Sequence, residues 1–260
     1  MTVPTASLPL PDGSTAAMPM IGFGTWRMRG QQAYEATRAA LEVGYRHIDT
    51  ATMYGNEAEV GRALRDSGVA REDVFITTKL LSEDAGREKR ALADSLRNLG
   101  VQQVDLWLIH WPPGGMAAPE VWRELISAQD TGFVRAIGVS NYSPEQIDEL
   151  VRATGRAPVV DQIPWSPARH DAALLADLRS RNVVVEGYSP IKRTPMDSPV
   201  LAEIAGRHGR TPAQVVLRWH LQHDIVIIPK SAHADRIAEN FDLFGFTLTD
   251  DEMRALDYWK

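Results

Sequence analysis

The chain of 260 residues contains no cysteine. That excludes a disulfide framework, a thiolate metal site and a cysteine nucleophile. It has no block of basic residues, and its net charge is -6. Nucleic acids and anionic membrane surfaces are bound through clustered Lys and Arg, so neither is an expected partner. No apolar run approaches the about 20 residues needed to cross a bilayer. Residues 1–13 hold no Lys or Arg and carry Pro4, Pro9 and Pro11, so no secretory signal is expected there. These absences lead to the expectation of a cytoplasmic protein. What is present is an ordinary globular mixture, 44% hydrophobic and 24% charged. A chain of this size can bury a sizeable core in one domain. An anionic ligand would need a local cluster of positive charge.

Residues 8–21 read as a hairpin around Asp12-Gly13. A rhythm then sets in: a short apolar run, a polar or glycine-rich loop, a stretch of helical period. Strands are expected at 21–24, 45–49, 75–78, 106–109, 136–139, 159–162, 183–187 and 225–228. Helices are expected at 34–43, 57–66, 87–98, 119–128, from Ser143-Pro144 onward, and at 174–181, 200–208 and 211–222. Two of them fall between the seventh and eighth strands. Asn56 is placed to cap the helix that starts at Glu57. Strands alternating with helices imply a parallel sheet. Eight such units imply an α/β fold of the (β/α)8, or TIM, barrel type, with the N-terminal hairpin closing the bottom. Nothing reads as a linker, so residues 1–260 are expected to form a single domain.

Asp49, Lys79, His110, Asn141, Gln162, Tyr188 and Lys230 each close or follow a candidate strand. In a parallel barrel all strand ends of that kind meet on one face, where active sites are built. Residues far apart in sequence should therefore ring one opening. Tyr54 lies on the loop just beyond Asp49. Alone, that pair would equally fit a carboxylate tied to its own loop and a tyrosine packed on the rim; the rest of the ring favours a shared pocket.

A tyrosine is a weak acid, with an ordinary pKa near 10. An ammonium about 4 Å away favours the phenolate by roughly 4 kcal/mol at an effective dielectric near 20. Lys79 is thus expected to draw the Tyr54 phenol down toward neutrality, with Asp49 holding the ammonium charged and aimed while offsetting part of that effect. His110 can hydrogen-bond a reacting oxygen. The chemistry implied is proton transfer to an oxygen whose carbon accepts something else.

Several motifs now join: Gly22-Phe23-Gly24-Thr25-Trp26, His47-Ile48-Asp49-Thr50-Ala51, Met53-Tyr54-Gly55-Asn56-Glu57, Thr77-Thr78-Lys79 and His110-Trp111-Pro112. Gly138-Val139-Ser140-Asn141-Tyr142, Gly187-Tyr188-Ser189-Pro190 and Ile228-Pro229-Lys230-Ser231 follow in register. Together they resemble the aldo-keto reductase family, most nearly its short bacterial members of the 2,5-diketo-gluconate reductase kind. The resemblance implies NADPH-dependent reduction of a small carbonyl substrate. Tyr54 would be the proton donor, Lys79 and Asp49 its tuning pair, and His110 the residue that orients the substrate carbonyl.

The same resemblance implies a nicotinamide held at the barrel mouth. Thr25, Trp26 and Asp49 would border it, and Ser140, Asn141 and Gln162 would hold its carboxamide. Tyr188 would stack on its ring. Ser189 and the backbone near Ile191 would meet the pyrophosphate. Lys230, Ser231 and Arg236 would clamp the 2'-phosphate of NADP, and Glu239 and Asn240 would meet the adenine. Gly22-Phe23-Gly24 lacks the third glycine of a dinucleotide fingerprint and is assigned a turn. Trp26, Met53 and Trp111 are read as walls of the substrate pocket, with Tyr54 and His110 at its floor, rather than as buried rim aromatics. Ser140-Asn141 could also cap the helix before Pro144.

His208, His220 and His223 are read as surface or structural residues, and residues 207–210 as a solvated helix end. His47-Ile48-Asp49 is not the His-x-His pair of metallohydrolase barrels, so no metal is expected. A monomer is expected.

The chain departs from the family pattern in places. Asp161-Gln162-Ile163-Pro164-Trp165-Ser166-Pro167 stands where relatives read Asn-Gln-x-Glu-x-His-Pro. Ile191-Lys192-Arg193 replaces a more usual Leu-Gly and adds charge near the pyrophosphate. His233 replaces a common Arg, which admits NADH beside NADPH. The chain ends at Lys260 with no long carboxyl-terminal loop, implying an open pocket. Two other readings are weighed. One is a Schiff-base lyase using Lys79, which needs a neutral amine and is opposed by Asp49. The other is an NADPH-binding regulatory subunit with little turnover.

Overall fold

The computed structural model describes residues 3–192 and 194–258; Arg193 and Lys260 lie outside them. Thr5–Pro9 (β1) and Thr15–Pro19 (β2) pair antiparallel, Leu8 opposite Ala16. The turn between them is built as expected. Asp12 Oδ1 accepts the Ser14 N–H at 3.0 Å and hydroxyl at 2.6 Å, and Gly13 takes a positive φ of 83°. Leu8, Ala16 and Met18 are buried in a cluster with Leu106, Leu108, Ala136, Val160 and Val226 from the barrel interior. That apolar face makes the hairpin a plug.

Eight parallel strands follow: Phe23–Gly24 (β3), His47–Asp49 (β4), Phe75–Leu80 (β5), Val104–Ile109 (β6), Val134–Ser140 (β7), Val160–Pro164 (β8), Val184–Tyr188 (β9) and Val226–Ile227 (β10). Each pairs with its neighbour in chain order. The ring closes where Ile21 bridges to Ile227. Gly22 N–H donates to Ile227 O at 2.8 Å and Ile227 N–H to Met20 O at 3.0 Å.

The strand expected at 21–24 is present at this seam, and the turn also assigned to Gly22-Phe23-Gly24 is not. Phe23 and Gly24 are strand residues, and neither Gly22 nor Gly24 has a positive φ. They are needed for close approach. A Cβ on Gly22 would meet the His47 ring at 2.6 Å, and one on Gly24 would meet Ile228 O at 2.7 Å.

Side chains alternate across each strand. On β6, Leu106 and Leu108 join the inner cluster, while Trp107 and Ile109 join the outer one beneath the helices. Those helices are Gly30–Val43 (α1), Glu57–Ser67 (α2), Glu88–Leu99 (α3), Pro119–Asp130 (α4), Pro144–Thr154 (α5) and Ala172–Ser180 (α6), one after each strand from β3 to β8. Pro199–His208 (α7) and Pro212–Gln222 (α8) both fall between β9 and β10, as expected. Ala234–Phe241 (α9) and Asp250–Asp257 (α10) were not anticipated; each is only eight residues long, too short for a clear period. Among the described residues no helix is long and apolar enough to cross a membrane.

Two caps differ from expectation. Asn56 stands at the N-cap position of α2, but its side chain makes no cap bond. It is buried, accepts from Thr50 Oγ1 at 2.7 Å, and donates to the carbonyls of Thr25 and Met28 at 2.9 Å. It therefore ties the loop after β3 to the loop after β4. Ser143, not Ser140 or Asn141, caps α5, in a reciprocal box with Gln146, a motif worth about 1 kcal/mol.

Candidate active site

The carboxyl ends of the strands surround a cavity of about 310 Å³. Asp49 closes β4 and Lys79 sits inside β5, which runs to Leu80, two residues beyond the expected end at Thr78. Lys79 is fully buried. Its Nζ donates to both Asp49 oxygens at 2.7 Å, to Thr50 O at 2.9 Å and to the Tyr54 hydroxyl at 3.4 Å. Those three partner groups match the three N–H bonds of an ammonium. Burial works to strip that proton, but Asp49, then Tyr54, hold it, and the balance keeps Lys79 above its ordinary pKa. An amine held charged in this way is unsuited to attack a carbonyl, which argues against the lyase reading.

Tyr54 ends the short 3-10 turn Thr52–Tyr54. Here the structure reverses an expectation. The phenol is pushed up from its ordinary pKa, not down: burial is the largest cause, opposed by the Lys79 ammonium and reinforced by the Asp49 charge. Burial removes water from around the hydroxyl, a cost the proximity of Lys79 and Asp49 alone does not reveal, and the carboxylate at contact distance neutralises Lys79. Tyr54 therefore keeps its proton at neutral pH, the state a proton donor requires.

His110 follows β6, its ring edge-on to Tyr54 at 5.8 Å between centroids. Burial, then the Lys79 charge, push it down to about 3, so the imidazole is neutral. Its Nδ1 is buried without a partner among the described residues. A bare lone pair is the less costly group to leave there, which puts the proton on Nε2. His110 then donates from Nε2.

The nicotinamide residues expected from sequence cluster on the opposite strands. Ser140, Asn141, Gln162, Tyr188 and Ser189 all line the cavity. Ser140 Oγ donates to Gln162 O at 2.7 Å, Asn141 Nδ2 donates to Ser140 Oγ at 2.9 Å and to His110 O at 3.2 Å, and Tyr188 Oη donates to Asn141 Oδ1 at 2.9 Å. Asn141 and Ser189 have φ of 64° and 53°, a left-handed backbone that non-glycine residues adopt under constraint and often at functional sites. Gln162 Nε2 donates to Asp49 Oδ2 and to Glu186 Oε2, both at 2.8 Å. Its amide hydrogens are thereby used, and its carbonyl oxygen is left as an acceptor.

At the mouth, Trp26, Met53 and Trp111 are 37%, 45% and 47% exposed, so they are cavity walls rather than buried rim aromatics. Lys192 and Lys230 line the same opening. Arg27 and Lys192 lie over the Trp26 ring at 4.4 and 5.6 Å.

Other expected site residues stay outside the cavity. Thr25 is buried, its hydroxyl on Asp49 O at 2.9 Å. Ile191 packs against the outer core. Ser231 is bonded to the His233 backbone. Glu239 accepts from Thr211 Oγ1 at 2.8 Å, Asn240 is buried, and Arg236 is exposed on the first turn of α9. Among the described residues Lys192, Lys230 and Arg236 form no ion pair, and the first two put positive charge at the cavity of a negative protein.

Glu186 escaped the sequence reading. It is fully buried inside β9 and bonded to Gln162. The signal was available: one carboxylate interrupting the apolar run Val183-Val184-Val185-Glu186-Gly187.

This geometry can be set beside known proteins. The sequence profile of the Aldo/keto reductase family matches residues 20–259. The chain belongs to the aldo-keto reductase family. Methylglyoxal reductase DkgA of Escherichia coli K12 is 41% identical over 257 residues, covering 97% of this chain and 92% of the relative. Among solved aldo-keto reductases, one from Brucella melitensis superposes with a TM-score of 0.91 at 38% identity, covering 99% of this chain and 98% of the other. One from Bombyx mori, solved in complex with NADP, gives a TM-score of 0.88 at 33% identity, covering 98% and 93%.

Proposed function

We propose that this aldo-keto reductase reduces aldehydes or ketones to alcohols with NADPH, Tyr54 giving the proton. The carrying observation is one cavity in which a protonated phenol, a buried ammonium–carboxylate pair and a neutral imidazole converge. The cofactor fits the donor set. A carboxamide NH2 needs acceptors, and Gln162 Oε1 and the second lone pair of Asn141 Oδ1 supply them. Tyr188 offers a ring, Ser189 and the backbone near Ile191 would meet the pyrophosphate, and Lys230, Ser231 and Arg236 would hold the 2'-phosphate. Glu239 and Asn240 would meet the adenine, and Thr25, Trp26 and Asp49 would border the nicotinamide. Because His233 stands where Arg is common, NADH is the weaker alternative cofactor.

When bound, the reduced nicotinamide supplies a hydride to the carbonyl carbon. His110 Nε2–H holds the carbonyl oxygen, aided by the apolar walls Trp26, Met53 and Trp111. Tyr54 passes its hydroxyl proton to that oxygen as negative charge develops there. The phenolate left behind faces the Lys79 ammonium, which Asp49 keeps in place, until solvent returns the proton.

A relative named for methylglyoxal makes small 2-oxoaldehydes the first substrates to try. We read the protein as one catalytic domain, monomeric and cytoplasmic; light scattering in solution tests the second point. The main test is Tyr54→Phe. It should quench NADPH fluorescence like the wild type and lose about 10²-fold or more in turnover. Normal turnover by Tyr54→Phe would overturn the assignment. Tight NADPH binding by the wild type without reduction across a broad aldehyde panel would make the regulatory-subunit reading the correct one.

A further inference from the structure

Gln162 and Glu186 face each other across β8 and β9 in direct register. On β9, Glu186 and Tyr188 share the inward face. The orientation of the Gln162 amide is forced, because Asp49 Oδ2 is an acceptor and must receive an N–H. The second N–H goes to Glu186 Oε2 at 2.8 Å. Neither carboxyl alone fixes both hydrogens. Together they lock the carbonyl toward the cavity.

The other Glu186 oxygen reports its charge state. Oε1 is buried with no hydrogen-bond partner among the described residues and lies 3.6 Å from His47 Nε2. His47 Nδ1 faces Pro19 O at 3.3 Å. A carbonyl only accepts, so Nδ1 carries the hydrogen. Burial, as the largest cause, pushes His47 down to about 3, so it is neutral and Nε2 is a lone pair. That lone pair accepts from Thr77 Oγ1 at 3.1 Å, so His47 offers no N–H to Glu186. A carboxylate would face a lone pair on one side and the Asp49 charge on the other. A carboxylic acid faces both without repulsion.

We infer that Glu186 is a positioning residue of the reductase: a buried, uncharged acid that holds Gln162 with its carbonyl toward the nicotinamide carboxamide. This rests on the NADPH reading above. The charged and titratable groups around it are His47 and Asp49 on β4, Lys79 on β5 and Tyr54. Its neighbour on β10 is the apolar Val226. Burial, then Asp49, push its carboxyl up to about 8. Above that pH a second negative charge stands behind Tyr54. Like charge opposes phenolate formation, so turnover falls as pH rises through this value.

The experiment compares wild type, Glu186→Gln and Glu186→Leu by NADPH fluorescence titration, by kcat from pH 6 to 9, and by denaturation without cofactor. Glu186→Leu frees the Gln162 amide and should raise the NADPH Kd by roughly tenfold. Glu186→Gln, which keeps an uncharged acceptor for Gln162, should restore that affinity. It should also abolish the several-fold fall in kcat near pH 8. Without cofactor, Glu186→Gln should gain stability over wild type as pH rises from about 4 toward 8, because folded wild type retains a proton that the unfolded chain releases. Wild-type NADPH affinity in Glu186→Leu, or an unchanged fall in kcat in Glu186→Gln, would overturn the inference while leaving the reductase reading intact. A wild type that does not bind NADPH would overturn both. Should Glu186→Leu not fold, the pH profile of Glu186→Gln decides alone.

Discussion

Replacing Lys79 by methionine separates two roles that the structure assigns to one ammonium. The first is structural. Lys79 and Asp49 are buried together, with Nζ 2.7 Å from both oxygens. Removing one partner of a buried ion pair leaves the other charge uncompensated, at a cost of about 3–5 kcal/mol. The second role is catalytic. Nζ is 3.4 Å from the Tyr54 hydroxyl, and a phenolate there gains ~5 kcal/mol at an effective dielectric near 20. Asp49 opposes part of this. A residue of about 4 kcal/mol corresponds to roughly a thousandfold in rate. Lys79→Met should thus lose both stability and turnover. The double variant Asp49→Asn/Lys79→Met, with no buried charge left unpaired, should recover most of the stability and none of the rate. Urea denaturation midpoints and NADPH consumption with one aldehyde measure the two effects separately. If the double variant regains turnover, or if Lys79→Met keeps more than about a tenth of kcat, the ammonium does not stabilise the forming phenolate.

Two further outcomes test the electrostatics away from that pair. Asp161 is buried; burial outweighs the backbone N–H groups of Tyr142 and Asn141 that face its carboxyl and pushes it well above the usual carboxylate range. The folded chain therefore keeps a proton that the unfolded chain loses above about pH 4, and wild-type stability falls with rising pH by up to about 1.4 kcal/mol per unit. Asp161→Asn should gain on the wild type as pH is raised from 4.5 to 7.5 in denaturation experiments, and an equal difference at both would refute the burial argument. At the rim, Lys230→Ala/Arg236→Ala should raise the KM for NADPH by about tenfold and leave that for NADH nearly unchanged. A parallel loss for both cofactors would place these cations away from the 2'-phosphate.

The barrel was legible because its evidence is local and repeated. Each strand is a short apolar run and each helix shows its period, so eight weak signals in order support one another. The ring of polar residues followed from topology, since parallel strands bring Asp49, Lys79, His110 and Gln162 to one end wherever they lie in the chain. What sequence could not supply was anything decided by three bodies at once. Asn56 reads as a cap because its neighbours along the chain invite one; its real partners, the Thr25 and Met28 carbonyls, come from another loop. Tyr54 reads as acidified because a lysine is near; the balance is reversed by burial and by the carboxylate that already holds that lysine. Gly22 reads as a turn because glycine is common in turns; it is glycine because the His47 ring occupies the space of a side chain. Glu186 carried a local signal and was still passed over, because a lone carboxylate acquires meaning only from the register that sets it opposite Gln162. Pairwise spacing thus locates the site, while the protonation states that make it work are properties of the enclosed group of charges.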